Sequence, residues 1–194
     1  MRSRCLVSAV ALAGAAAVAG CGQSSGVHVQ GGEPGSTAPS ALTPSTTAPT
    51  PLATGVPEQA AILAQYRAFW ASLTPVSKMT SSAARLAAVA KLAVDPELTR
   101  LMGGIAASRA MGQVFYGAIE THPVLTAVTA AGVAILTDCQ DASSHGRAKS
   151  STGQKVTVGT KNDFAKVTMR RGPDGVWRIA TVAYQSVGSC HANA

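Results

Sequence analysis

The stretch from Gly22 to Val56 decides where this chain can fold. It contains no Lys or Arg and a single acid, Glu33. Pro34, Pro39, Pro44, Pro49 and Pro51 are set among Gly, Ser, Thr and Ala. No apolar face of period 2 or 3.6 runs through it, so burial cannot offset the entropy of ordering it. It reads as a disordered linker, spanning roughly 30 Å as a flexible coil and up to about 100 Å as a polyproline-like chain. A core therefore has to come from residues 57–194. Hydrophobic residues make up 46% of the chain, much of that alanine, while only 13% are charged and 4% aromatic. About 138 residues of apolar patterning suit one domain. They exclude a multidomain enzyme, a coiled coil and a polytopic membrane protein.

Residues 1–20 read as a targeting segment. Arg2 and Arg4 supply a positive start, and Cys5 to Gly20 is an uncharged apolar run. That run is short for a membrane span, which needs roughly 20 residues, and it suits a signal peptide. It ends in Val18-Ala19-Gly20-Cys21, which resembles the lipobox of bacterial lipoproteins. The resemblance implies cleavage before Cys21 and lipidation of its thiol. Each buried methylene contributes about 0.8 kcal/mol, so two or three acyl chains anchor a protein stably. The expected location is the cell membrane, lipid-anchored on the extracytoplasmic face.

From Pro57 the pattern becomes helical. Ile62, Leu63, Tyr66, Phe69, Trp70 and Leu73 recur at helix spacing, and Pro75 is expected to stop the run. Ser81 and Ser82 can cap a second helix carrying Leu86, Val89, Ala90 and Ala93. Asp95-Pro96 reads as N-cap and first turn of a third, with Leu98, Leu101, Met102 and Ile105 on its apolar face. The period then drops to two. Strands are expected over Gln113–Glu120, around Val124–Val128, over Val133–Cys139, over Phe164–Arg171 and over Val176–Val187. A long polar hairpin near Thr152-Gly153 is expected between the third and fourth, and the last strand is expected beside the third. Gly172-Pro173-Asp174-Gly175 is a strong hairpin turn. Three helices followed by an antiparallel sheet is an α+β layout.

The closing hairpin carries a resemblance. Arg171, Asp174, Gly175, Trp177, Arg178 and Ile179 are similar to the terminal hairpin of the nuclear transport factor two-like, or SnoaL-like, superfamily. The segment Asp138-Cys139-Gln140-Asp141 also resembles secreted actinobacterial lipoproteins. The resemblance covers about Pro57 to Cys190. It implies three helices packed on a curved, cone-like sheet. It implies no single activity, since that superfamily holds isomerases, dehydratases, cyclases and non-catalytic modules.

Four cysteines are present. Cys5 leaves with the signal and Cys21 takes the lipid, so Cys139 and Cys190 remain as an even pair in an oxidising compartment and are expected to form a disulfide. A zinc site from this pair with His145 or His191 is disfavoured, because the thiols are far apart and no CxxC occurs. No G-x-S-x-G elbow and no phosphate-binding glycine loop occurs. Asp141, Ser143 and His145 cluster in sequence within a polar loop. The carboxylates and imidazole that could work in a cone cavity are Asp138, Asp141 and His122, with His122 expected at a solvent-facing strand start. No catalytic, cofactor or metal residue is assigned.

Charge adds one pointer. Arg147, Lys149, Lys155, Lys161, Lys166, Arg170, Arg171 and Arg178 face only Asp163 and Asp174 in that interval. A basic hairpin region on an anchored protein suits an envelope protein partner or an anionic envelope polymer, and nucleic acid is not expected outside the cell. The expected function is a binding or assembly module of the cell envelope without catalysis. The alternative is a small-molecule isomerase- or cyclase-type enzyme or carrier.

Overall fold

The computed structural model describes residues 55–186 and Cys190. The signal segment, Cys21 and nearly all of the linker lie outside the described residues. The described chain is α+β. Three helices, α1 (Val56–Lys78), α2 (Ser82–Val89) and α3 (Glu97–Ala110), precede six strands: β1 (Gln113–Tyr116), β2 (Val124–Val128), β3 (Val133–Gln140), β4 (Gly146–Lys149), β5 (Asp163–Arg171) and β6 (Trp177–Ser186). None of the helices is long and apolar enough to cross a membrane.

Helix α1 begins with Pro57 in its first turn and buries Ile62, Tyr66, Phe69, Trp70, Leu73, Val76 and Ser77. It does not stop at Pro75. A further turn continues to Lys78, because Val76 and Ser77 are buried and the last turn is tied to β1. Thr74 Oγ1 donates to Gly117 O (2.7 Å), and Phe115 N donates to Ser77 Oγ (2.9 Å). Those contacts outweigh the helix bond that proline removes.

Ser81 caps α2 by accepting from Ala84 N. The inward side of α2 differs from expectation. Leu86 is exposed, whereas Arg85 is buried and its Nη1 donates to Met79 O and Thr80 O. Ala93 has left the helix. It bridges Ile179, with Val94 N donating to Ile179 O and Ile179 N to Leu92 O, so residues 92–94 cover the free edge of β6. Asp95 acts as a cap from one residue further out than expected: its Oδ1 accepts from Thr99 N and Thr99 Oγ1.

The strands form two antiparallel sheets, a four-stranded one in the order β2-β3-β5-β6 and a two-stranded ribbon β1-β4. Two expectations are corrected here. The first strand ends at Tyr116 and pairs with β4, so the polar excursion after Asp141 is used to cover β1. The last strand pairs with β5, which separates it from β3. The disulfide forms all the same. Cys139 pairs with Phe164 on β5, and Phe164 pairs with Ser186 on β6, so these three lie in one row. Cys190 N donates to Asn162 O, just before β5, and Cys139 and Cys190 are bonded at a Cα separation of 5.7 Å. This lies within the range that disulfides require.

Burial alternates strictly along β3, placing Ala134, Leu136, Asp138 and Gln140 inward. Ala134, Leu136, Ala165, Val167, Met169, Trp177 and Ile179 share one apolar core with the buried faces of α1 and α3. The closing turn is held by its own residues. Gly175 has φ +77°, and the Arg178 guanidinium grips Asp174 through both oxygens (2.9 and 2.6 Å) while its Nε donates to Ala90 O at the end of α2. Trp177 is buried in the core, so the hairpin motif is explained by packing and turn chemistry.

Candidate functional site

The inward face of β3 changes from apolar to polar halfway along, and the polar half meets Tyr66 from α1. Tyr66 is fully buried, and its hydroxyl donates to Asp138 Oδ2 at 2.5 Å and accepts from Gln140 Nε2 at 2.9 Å. Tyr184 from β6 donates to Gln140 Oε1 at 3.1 Å. The second oxygen of Asp138 accepts from His122 N at 2.6 Å, and His122 Nδ1 lies 3.0 Å from Cys139 O. A continuous polar chain thus runs from His122 through Asp138, Tyr66 and Gln140 to Tyr184.

Its electrostatics follow from burial. Removal from water pushes the Tyr66 phenol far above its ordinary range, and the neighbouring Asp138 carboxylate pushes it further. Burial also raises Tyr184, to about 12. Both phenols therefore stay protonated and serve as donors. Asp138 is 1% exposed, and each of its oxygens already holds a hydrogen bond. A general base needs a lone pair within reach of substrate, and burial keeps the remaining lone pairs of this carboxylate away from solvent in this arrangement.

The structure brings two of the three sequence candidates into direct contact, since His122 meets Asp138 through its backbone amide. His122 is not a free strand start: its ring is pinned between Cys139 O and Glu120, whose carboxylate lies 3.4 Å from Nε2. Asp141 sits nearby through the backbone pair it makes with Glu120. Its side chain turns back to Ser143, accepting from Ser143 N at 2.8 Å, and hydrogen bonding by the Ser143 side chain and then its backbone lowers its carboxyl below the usual range. Ser143 and His145 form no relay with it among the described residues. His145 packs its ring on Phe115 instead, and burial lowers its imidazole. Tyr66 and Gln140 were not singled out in the sequence. Tyr66 looks like one more residue of an apolar helix stripe, and only its register against β3 gives it a polar role. Among the described residues, no group of three His, Cys, Asp or Glu is placed to hold a metal ion.

A second feature lies at the other end of α1. A cavity of about 430 Å³ opens between the end of α1, α3 and the β1-β4 ribbon, lined among others by Lys78, Thr80, Arg109, Phe115, Tyr116 and Lys149. Ser77 fixes its frame. This buried residue accepts from Phe115 N with its Oγ, donates to Thr74 O, and offers its carbonyl to Arg109 Nη1 at 2.9 Å. One residue therefore joins α1, α3 and β1. Tyr116 is fixed by its bond to Thr157 O, with Lys155 Nζ 4.9 Å above its ring. Among the described residues, no carboxylate lines the cavity.

The other basic residues of the closing half are partly committed. Arg178 holds Asp174, Arg171 lies 3.6 Å from Glu58, and Lys155 covers Tyr116. Lys149 remains available at the cavity. No family model and no curated protein matches the chain.

Proposed function

We propose that this chain is a lipid-anchored extracytoplasmic binding module of the cell envelope, of the secreted-lipoprotein kind. It is tethered through Cys21 and held off the membrane by the 21–56 linker. Its folded unit is a cone-like domain of the nuclear transport factor two-like type, and its ligand is an anionic envelope polymer. The observation that carries the binding reading is the preformed cavity whose cations have no carboxylate beside them among the described residues. Convergent polar groups in a rigid concavity are what a binding site needs. The disulfide supports an oxidising compartment.

The inner polar chain supports binding over catalysis. Its carboxylate, phenol and amide are spent on one another, which specifies how α1 seats on the sheet. An isomerase- or cyclase-type activity would need Asp138 or His122 released toward a substrate.

The test is co-sedimentation of the exported protein with isolated cell envelope. Binding that falls steeply with salt is expected, because charge pairing with a polyanion is screened. Replacing Lys161, Lys166 and Arg170 together by Glu distinguishes a diffuse basic face from a local site. Salt-insensitive retention by a protein component would contradict the polymer as ligand and point to an assembly partner.

A further inference from the structure

Three cations from three separate elements meet at one cavity. Lys78 closes α1, Arg109 lies in the last turn of α3, and Lys149 ends β4. None of them pairs with a carboxylate among the described residues, whereas Arg100, Arg171 and Arg178 each do. Lys78 and Arg109 also complement helix C-termini. Lys149 has no such reason to be there. Bringing like charges together is unfavourable unless an anion joins them.

We infer that this cavity binds a phosphate ester of a small polyol, as the repeating group of the anionic polymer; the inference rests on the envelope-binding reading above. A carboxylate is planar and satisfied by one guanidinium fork. A phosphate is tetrahedral, carries its charge on several oxygens, and accepts donors converging from different directions. Lys78, Arg109 and Lys149 supply that convergence. Arg109 is held in place through Ser77 O, so part of its ordering cost is met before the ligand arrives. Thr80 and Ser150 line the same cavity, and their hydroxyls suit the hydroxyls of a polyol. Phe115 and Tyr116 offer apolar surface to its carbon chain. A volume of about 430 Å³ lies within the range of small-ligand pockets.

The experiment is calorimetric titration of the full exported chain with glycerol 3-phosphate, glycerol and inorganic phosphate, and with vesicles of phosphatidylglycerol against phosphatidylcholine. Glycerol 3-phosphate should bind, and glycerol should not. The double variant Lys78→Glu/Lys149→Glu removes two exposed charges and should weaken binding roughly a hundredfold, while Lys91→Glu, outside the cavity, should leave it unchanged. Tighter binding of phosphatidylglycerol vesicles, still lost in the double variant, keeps the site and assigns the ester to a lipid headgroup. Inorganic phosphate binding as tightly as the ester overturns the polyol part. Equal binding by wild type and double variant overturns the site. Failure to bind glycerol 3-phosphate, in a protein that still co-sediments with envelope, ends the cavity assignment and leaves the envelope reading standing.

Discussion

The Tyr66 hydroxyl donates to Asp138 Oδ2 at 2.5 Å across 72 positions of sequence, and neither residue is accessible to water. This bond joins the first helix to the middle of the sheet. Tyr66→Phe leaves Asp138 with one partner and Gln140 Nε2 with none. The cost should be about 1–3 kcal/mol, the desolvation penalty of unsatisfied buried groups. Asp138→Asn should also destabilise. In a double-mutant cycle by denaturant unfolding, the pair should couple by roughly 0.5–3 kcal/mol. Additive losses would mean the two residues act independently.

The closing turn should fail in acid. Arg178 holds the Asp174 carboxyl down to about 2, below its value in an unfolded chain. The turn's contribution is therefore complete above the ordinary carboxylate range, near pH 4, and is lost as pH falls through about 2. Wild type should lose stability relative to Asp174→Asn across that window. Parallel pH profiles of the two proteins, followed by thermal melting, would contradict this.

Much of the architecture is legible in the sequence because it is local. Helix spacing from Ile62 to Leu73, the Ser81 cap and the Gly172–Gly175 turn each act within a few residues. The disulfide followed from parity and compartment. What was not legible depends on distant partners. Pro75 reads as a stop until Val76 and Ser77 are seen buried against β1. The ribbon needs Gln113–Tyr116 to find Gly146–Lys149 across the whole β2-β3 hairpin, and no local pattern records that choice. The same holds for the polar chain. Alternation along β3 shows that Asp138 and Gln140 share a side, but only the seating of α1 makes that side the inner one.

Removing the disulfide should cost stability without abolishing the fold. The bridge closes a separation of 51 residues, which corresponds to about 4 kcal/mol in the chain-entropy account. The double variant Cys139→Ala/Cys190→Ala should unfold at a lower denaturant concentration with the same helix content. An unchanged midpoint would show that the tail contributes nothing.

Gly117 is expected to resist substitution. It adopts φ +71°, and a Cβ there would run into the Ser144 carbonyl just before β4. Gly117→Ala meets both backbone strain and a clash with backbone, so a loss of more than about 1–3 kcal/mol is expected by thermal unfolding. A neutral result would mean that the chain before β4 shifts freely.

The proposed envelope role requires the domain to be tethered to the membrane by Cys21. The most direct measurement is the intact mass of the N-terminal peptide from protein extracted from the membrane fraction. The predicted result is a peptide beginning at Cys21 and carrying a diacylglyceryl group, absent from Cys21→Ser, which should leave the membrane fraction or remain uncleaved. A normally processed peptide with an unmodified Cys21, or Cys21→Ser protein processed and retained like wild type, would contradict it.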